Sequence, residues 1–213
     1  MSKRCAKHVP RRAVVPTLLA LAAVLGGCAT SGSSKPQAAT ELPAAVQSDY
    51  TSALHAMKDG NWASAQTLLQ SLANAHPELP GPLVNLGITL AHQGNADDAR
   101  KLLERATSQW PEFAPGQLQL GLLLRDRGEF AAADAAFAKA QAADPAYALA
   151  YYDRGVLNEL YLQRPDVALQ NYEKFQQLQP IADEQVGRWI ETLRRRTGAA
   201  PTDAKSKASG GSS

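Results

Sequence analysis

From residue 44 onward, apolar side chains return at the three-and-four spacing of an amphipathic helix, and short polar runs interrupt them. Tyr50, Ala53, Leu54 and Met57 mark the first such stretch, residues 44–58. Asp59-Gly60-Asn61 breaks it, and Asn61 is a suitable N-cap for a helix from Trp62 to about Ala75. Pro77 and Pro80 end that helix and space the next. The same alternation predicts helices near Gly81–His92, Ala96–Gln109, Ala114–Asp126, Phe130–Ala142 and Tyr147–Leu162, then one to about Leu178. The breaks between paired helices are Gln93-Gly94-Asn95, Arg127-Gly128-Glu129 and Gln163-Arg164-Pro165. Pro165 suits a first helical turn, where its missing N–H has no partner to lose. A last helix, residues 182–196, carries the stripe Val186, Trp189, Ile190 and Leu193. Asp183 and Glu184 complement the dipole at its start, and Arg194-Arg195-Arg196 at its end.

The helices come in copies. Leu86, Gly87, Leu90, Gly94, Ala99, Leu103, Ala106 and Pro111 recur 34 residues later as Leu120, Gly121, Leu124, Gly128, Ala133, Phe137, Ala140 and Pro145. A weaker copy precedes them in phase, with Ala53, Gly60, Ala65, Leu69 and Pro77. A fourth follows with Gly155, Ala168, Tyr172 and Pro180. Gly155 keeps the period, whereas Ala168 and Pro180 lie one residue late, so one residue is inserted between Gly155 and Ala168. A period of this length means stacked units. Gly87, Gly121 and Gly155 fall where the first helix of a unit crosses its second, and Ala99, Ala133 and Ala168 are expected to face them. Mid-helix glycine costs about 1 kcal/mol against alanine, so close helix approach is the reason to keep it.

These residues resemble the tetratricopeptide repeat, a helix–turn–helix of 34 residues, over about residues 46–180. The resemblance implies an all-α, right-handed α-solenoid of four helix–turn–helix units, with the last helix as a cap over the exposed end of the core. The outer copies depart from the pattern: Ala53 replaces glycine and Leu72 alanine in the first, and Phe175 stands at that alanine position in the fourth. Atypical terminal units are expected of a stack.

The start of the chain reads differently. Lys3, Arg4, Lys7, Arg11 and Arg12 precede an apolar run, Ala13 to Leu25, broken by Pro16 and Thr17 and ending in Leu25-Gly26-Gly27-Cys28. This is the layout of a secretory signal, too short for a membrane span. Its ending resembles the lipobox of bacterial lipoproteins, which implies cleavage before Cys28 and acylation of its sulfur and amine. The expected organisation is a signal peptide over 1–27, an acylated cysteine and flexible tether over 28–43, a repeat domain with its cap over 44–197, and a disordered tail over 198–213. Ala29, where an aspartate is associated with inner-membrane retention, implies export to the outer membrane, facing the periplasm. Two or more acyl chains anchor durably where one does not. Cys5 is lost with the signal, and acylation leaves no free thiol, which suits an oxidising compartment.

Charge then changes the picture of partners. Formal net charge is +2, from 22 basic and 20 acidic residues, but five of the basic residues and no acid lie before residue 28. The mature chain is mildly acidic and lacks the positive surplus that nucleic acid requires.

Candidate chemistry is sparse. His55, His76 and His92 have no cysteine or paired carboxylate at ligand spacing, so no metal site is expected. There is no G-x-S-x-G, no H-E-x-x-H and no phosphate-cradling glycine loop. No cofactor and no catalysis are expected. The repeat resemblance instead implies a concave groove lined by the first helix of each unit. Mapped onto this chain its positions are Tyr50, Thr51, Leu54 and Met57; Val84, Asn85, Ile88 and His92; Leu118, Gln119, Leu122 and Arg125; and Tyr152, Asp153, Val156 and Glu159. Amides there can hold a peptide backbone, and apolar residues its side chains. The lysine-rich carboxylate clamp of chaperone-binding members is not present, because only Asn85 and Arg125 have suitable chemistry.

The reading that follows is a non-enzymatic adaptor, an outer-membrane lipoprotein that binds protein partners of an envelope complex. The settings the family suggests are pilus or secretin assembly, a TonB-type system, or cell-wall enzymes. The alternatives are a self-associating structural lipoprotein, with Tyr151, Trp189 or Trp110 as contact, and binding of anionic lipid or glycan through Arg194–Arg196.

Overall fold

The computed structural model of the protein describes residues 42–199. The expected signal segment, the acceptor Cys28, and most of the tether and tail lie outside the described residues.

The described residues form nine helices and no strand. Four antiparallel pairs follow one another: α1 (Ala44–Lys58) with α2 (Trp62–Ala75), α3 (Pro80–His92) with α4 (Ala96–Gln109), α5 (Ala114–Asp126) with α6 (Phe130–Ala143), and α7 (Ala148–Leu160) with α8 (Pro165–Leu178). The ninth, α9 (Glu184–Thr197), packs on α8. Contacts between α3 and α5 and between α5 and α7 place these first helices in one layer.

Local chemistry explains where the helices begin and end. Asn61 caps α2 by accepting from the Ser64 N–H at 3.3 Å, and Asp183 caps α9 by accepting from the N–H groups of Gln185 and Val186. Gly60, Gly94 and Gly128 turn the chain at φ of +72°, +84° and +78°, a conformation glycine adopts without steric cost. The fourth turn differs. α7 stops at Leu160, two residues before its expected end, and Gln163 takes the left-handed conformation at φ +54°. Gln163 is 35 residues after Gly128, so the inserted residue precedes the turn and the turn position survives without its glycine.

Each core cluster borrows from its neighbour. Leu86 of α3 is buried with Ala65, Leu69 and Leu72 of α2; Ala150 and Leu157 of α7 are buried with Phe137 and Ala140 of α6. Burying one such aliphatic or aromatic side chain contributes roughly 1.5–3 kcal/mol, so each unit is stabilised by the one beside it.

The expected glycine–alanine crossings need one correction. Ala99, Ala133 and Ala168 are fully buried on the second helices, but they are not what the glycines mainly meet. A Cβ on Gly87 would lie 2.8 Å from Leu103 Cγ, one on Gly121 would enter the Phe137 ring, and one on Gly155 would enter the Tyr172 ring. The large side chain one turn further along lies over the glycine. Alanine lets the second helix come near, and glycine makes room for the ring.

At the far end, Val186, Ile190 and Leu193 of α9 are buried against Ala168, Leu169, Tyr172 and Phe175 of α8, with Trp189 packed beside them. α9 therefore covers the last repeat, as a cap should.

Candidate interaction cleft

The layer of first helices carries a cleft of about 250 Å³ between α3 and α5. Ile88, Ala91 and His92 come from α3; Gln119, Leu122, Leu123, Arg125 and Asp126 come from α5; Leu103 reaches the floor from α4. The floor is apolar and the rim polar. At the rim, Arg125 donates to Asp126 Oδ1 from Nε and Nη2 at 3.0 and 2.9 Å, and its Nη1 lies 3.7 Å from Asp153 of α7. Burial pushes the Asp153 carboxyl up to about 6; Arg125 opposes that rise and Asp126 adds to it. His92 lies flat on Trp62, with ring centroids 4.2 Å apart and planes 3° from parallel.

Five of the residues expected in a groove thus meet at one cleft: Ile88, His92, Gln119, Leu122 and Arg125. Asp153 stands beside them through Arg125. The others do different work. Val84 and Leu118 are buried, at 3 % and 2 % exposure, and are core residues rather than groove residues. The column they belong to fills the seam between successive first helices. The Tyr50 hydroxyl sits against Gly81, Val84 Cγ2 faces Gly116, and Leu118 shares a buried cluster with Ala150. Tyr152 continues the column and packs against Phe175, Tyr172 and Trp189. Asn85 spends its amide locally, donating to the Tyr50 hydroxyl at 2.6 Å. Leu54 and Met57 are on α1, away from the cleft, with Leu54 exposed and Met57 half-buried. Val156 packs on the cap cluster, and Glu159 accepts from the Tyr172 hydroxyl at 3.1 Å.

Sequence reasoning missed Ala91, Leu103, Leu123 and Asp126. Leu103 had a signal, since it is the column residue opposite Gly87, but its second edge toward the cleft is visible only once α5 is in place.

The two alternative surfaces look different in three dimensions. Tyr151, Trp110 and Trp189 are each half-buried rather than exposed. Arg194 is held by Glu173 at 2.6 Å, and Arg196 lies 3.8 Å from Glu159, so these arginines dock the cap. Among the described residues, no group of three or more His, Cys, Asp or Glu side chains could hold a metal ion, and no helix is long and apolar enough to cross a membrane.

A stack of antiparallel helix pairs with one shared inner layer and a side-facing cleft defines a helical-repeat protein. Models of the tetratricopeptide repeat match residues 56–119 and 114–147. The fold is similar to a crystal structure of MamA, at 23% identity and a TM-score of 0.58 over 72% of this chain and 82% of that one. It is equally similar to TTC0263, a thermophilic tetratricopeptide-repeat protein of Thermus thermophilus, at 19% identity and a TM-score of 0.58 over 72% and 83%. A second MamA structure aligns at 24% identity and a TM-score of 0.58 over 68% and 84%. No curated protein sequence matches the chain.

Proposed function

We propose that the protein is a non-enzymatic adaptor that holds a polypeptide partner in the α3–α5 cleft. The observation that carries this reading is the cleft itself, an apolar floor of Ile88, Leu103 and Leu122 under a rim of Gln119, Arg125 and Asp126. Such a site can bury an apolar side chain and orient the chain that bears it, but it brings together no nucleophile, base and oxyanion donor. The tetratricopeptide-repeat matches support the same class of role.

The setting we propose is the bacterial cell envelope. The basic start, the apolar run and Leu25-Gly26-Gly27-Cys28 support cleavage before Cys28 and acylation there. With Ala29 next, the anchor is proposed in the outer membrane, with the repeats in the periplasm serving an envelope complex.

A photo-crosslinking residue in place of Leu122, in cells, with the adducts identified by mass spectrometry, tests the adaptor reading. A discrete protein adduct is expected, lost when the cleft residues Ile88 and Gln119 are substituted together. If every partner stays bound in that variant, the groove reading fails. Labelled palmitate incorporation that disappears in Cys28→Ala tests the anchor. Labelling that survives the change sinks it.

A further inference from the structure

The partner chemistry can be taken one step further, resting on the cleft reading above. We infer that the cleft selects a segment in which a basic side chain accompanies the apolar side chain that fills it. The argument is the charge at the rim. Asp126 accepts two hydrogen bonds from Arg125, and Asp153 lies on the other side of the same guanidinium. Two carboxylates thus share one cation, and the rim carries an excess of one negative charge when both are ionised. Arg125 already gives Nε and Nη2 to Asp126 and directs Nη1 toward Asp153, so a partner carboxylate would compete with two carboxylates that face the same cation. A partner lysine or arginine displaces nothing. Asp126 is 66% exposed and open to it, and Asp153 sits in surroundings that disfavour its charge, burial first, so a second nearby cation is favourable to it as well. The apolar part of the segment goes to the floor, where Ile88, Leu103 and Leu122 present no polar group from their side chains.

Selection of a random dodecapeptide display library on the purified full chain tests this. Recovered peptides should place Leu, Ile, Met or Phe within a few residues of Lys or Arg. They should bind Leu122→Ala more weakly, and bind Asp126→Lys about tenfold more weakly, the scale of a rim charge reversal. Asp126 is exposed enough for that variant to fold, which an unchanged thermal melt checks. Acidic or charge-indifferent peptides that still depend on Leu122 overturn the basic-segment inference and leave the adaptor reading standing. Basic peptides indifferent to Asp126→Lys also overturn the inference. If no recovered peptide depends on Leu122, both fail together.

Discussion

The seam between α4 and α5 and the seam between α6 and α7 occupy the same place in successive repeats, yet they are built from opposite materials. In the first, Leu120 packs against the apolar clusters on both sides, and the ions stay at the edge, where Arg100 reaches Glu129 at 2.8 Å and Arg127 reaches Asp97 at 2.9 Å. In the second, the residues 34 positions on from Leu120 and Leu124 are Arg154 and Asn158. Arg154 donates to Asp134 at 2.7 Å and to Gln141 at 2.8 Å, Asn158 donates to Asp134 at 2.9 Å, and Gln141 donates to Asn171 of α8. The repeat dictates backbone placement and leaves the chemistry of each seam open. An apolar seam seals by contact. A polar one seals only if its hydrogen bonds close, which couples α6, α7 and α8 through named partners.

The largest expected effect breaks the polar seam. Arg154→Leu leaves Asp134, only 17% exposed, with its strongest partner gone. The cost should be about 3 kcal/mol, the low end for an orphaned buried charge because some solvent reaches the pair. The corresponding change at the edge of the apolar seam, Arg100→Ala, should cost far less, because that pair is more open to water. Replacing Asp134 by Ala, Arg154 by Leu and Asn158 by Leu together should return stability to within about 1 kcal/mol of the parent, since well-packed apolar groups replace buried ions without loss. Asn158 favours that outcome, because its buried Oδ1 has no hydrogen-bond partner. Urea unfolding of the three variants decides it. Single and triple variants with equal losses would mean that the apolar replacement recovers nothing, and that an orphaned Asp134 is not the source of the single variant's loss.

Next in size are the glycine crossings, which lie within the repeats that flank the seams. Gly121→Leu should cost on the order of 1–3 kcal/mol by overpacking against Phe137. Gly87→Ala should cost less than Gly121→Ala. A Cβ on Gly87 would lie 2.8 Å from Leu103 Cγ, whereas one on Gly121 would lie 2.5 and 2.6 Å from two atoms of the rigid Phe137 ring, which must move as a whole. Equal thermal shifts for the two alanine variants would contradict this.

The acids beside the two seams should respond to pH with opposite sign. Burial works against the charge on Asp134, but hydrogen bonds from Arg154 and Asn158 and the charges of Arg154 and Arg164 outweigh it and hold the carboxyl below its ordinary range. Its contribution is present above the ordinary carboxylate pKa and is lost as pH falls through the lower, folded value. Asp153 is raised to about 6. Its contribution is complete below the ordinary value near 4 and is lost as pH rises through 6. Asp153→Asn should therefore match the parent near pH 4 and exceed it at pH 7 by roughly 1–2 kcal/mol, a part of the full linkage value because Arg125 loses its partner. Unfolding curves at pH 4, 5, 6 and 7 give the difference directly, and a constant offset across that range would remove Asp153 as its source.

How far these features were legible depends on whether they repeat. Period, helix pairs, turn glycines and the capping stripe could be read because the same packing problem is solved in each copy with similar residues. The polar seam could not be read from helical periodicity, since Arg154 and Asn158 look like ordinary polar positions on a helix. They stand out only when set in register with Leu86, Leu90, Leu120 and Leu124. The groove column was misjudged at Val84 and Leu118 for a geometric reason. Successive first helices come close enough that one column fills the gap between them, and only the next faces of α3 and α5 remain to line a cleft.

The smallest effect concerns the α7–α8 turn, which follows the inserted residue and borders the polar seam. Gln163 holds at φ +54° what Gly60, Gly94 and Gly128 hold elsewhere, and a side chain there meets its own backbone. The Arg164 N–H donates to the Asn158 carbonyl at 2.8 Å, so this turn also fixes the end of α7 next to the polar network. Gln163→Gly relieves the strain but also frees the unfolded chain, and the two partly cancel. A gain of about 0.5–1 kcal/mol is expected. The same substitution in the triple variant, where Asn158 is leucine, should give an equal gain, because the strain is in the backbone and owes nothing to the network. An unequal gain would mean that the turn and the polar seam are coupled, and that the extra residue in the fourth repeat is part of how that seam closes.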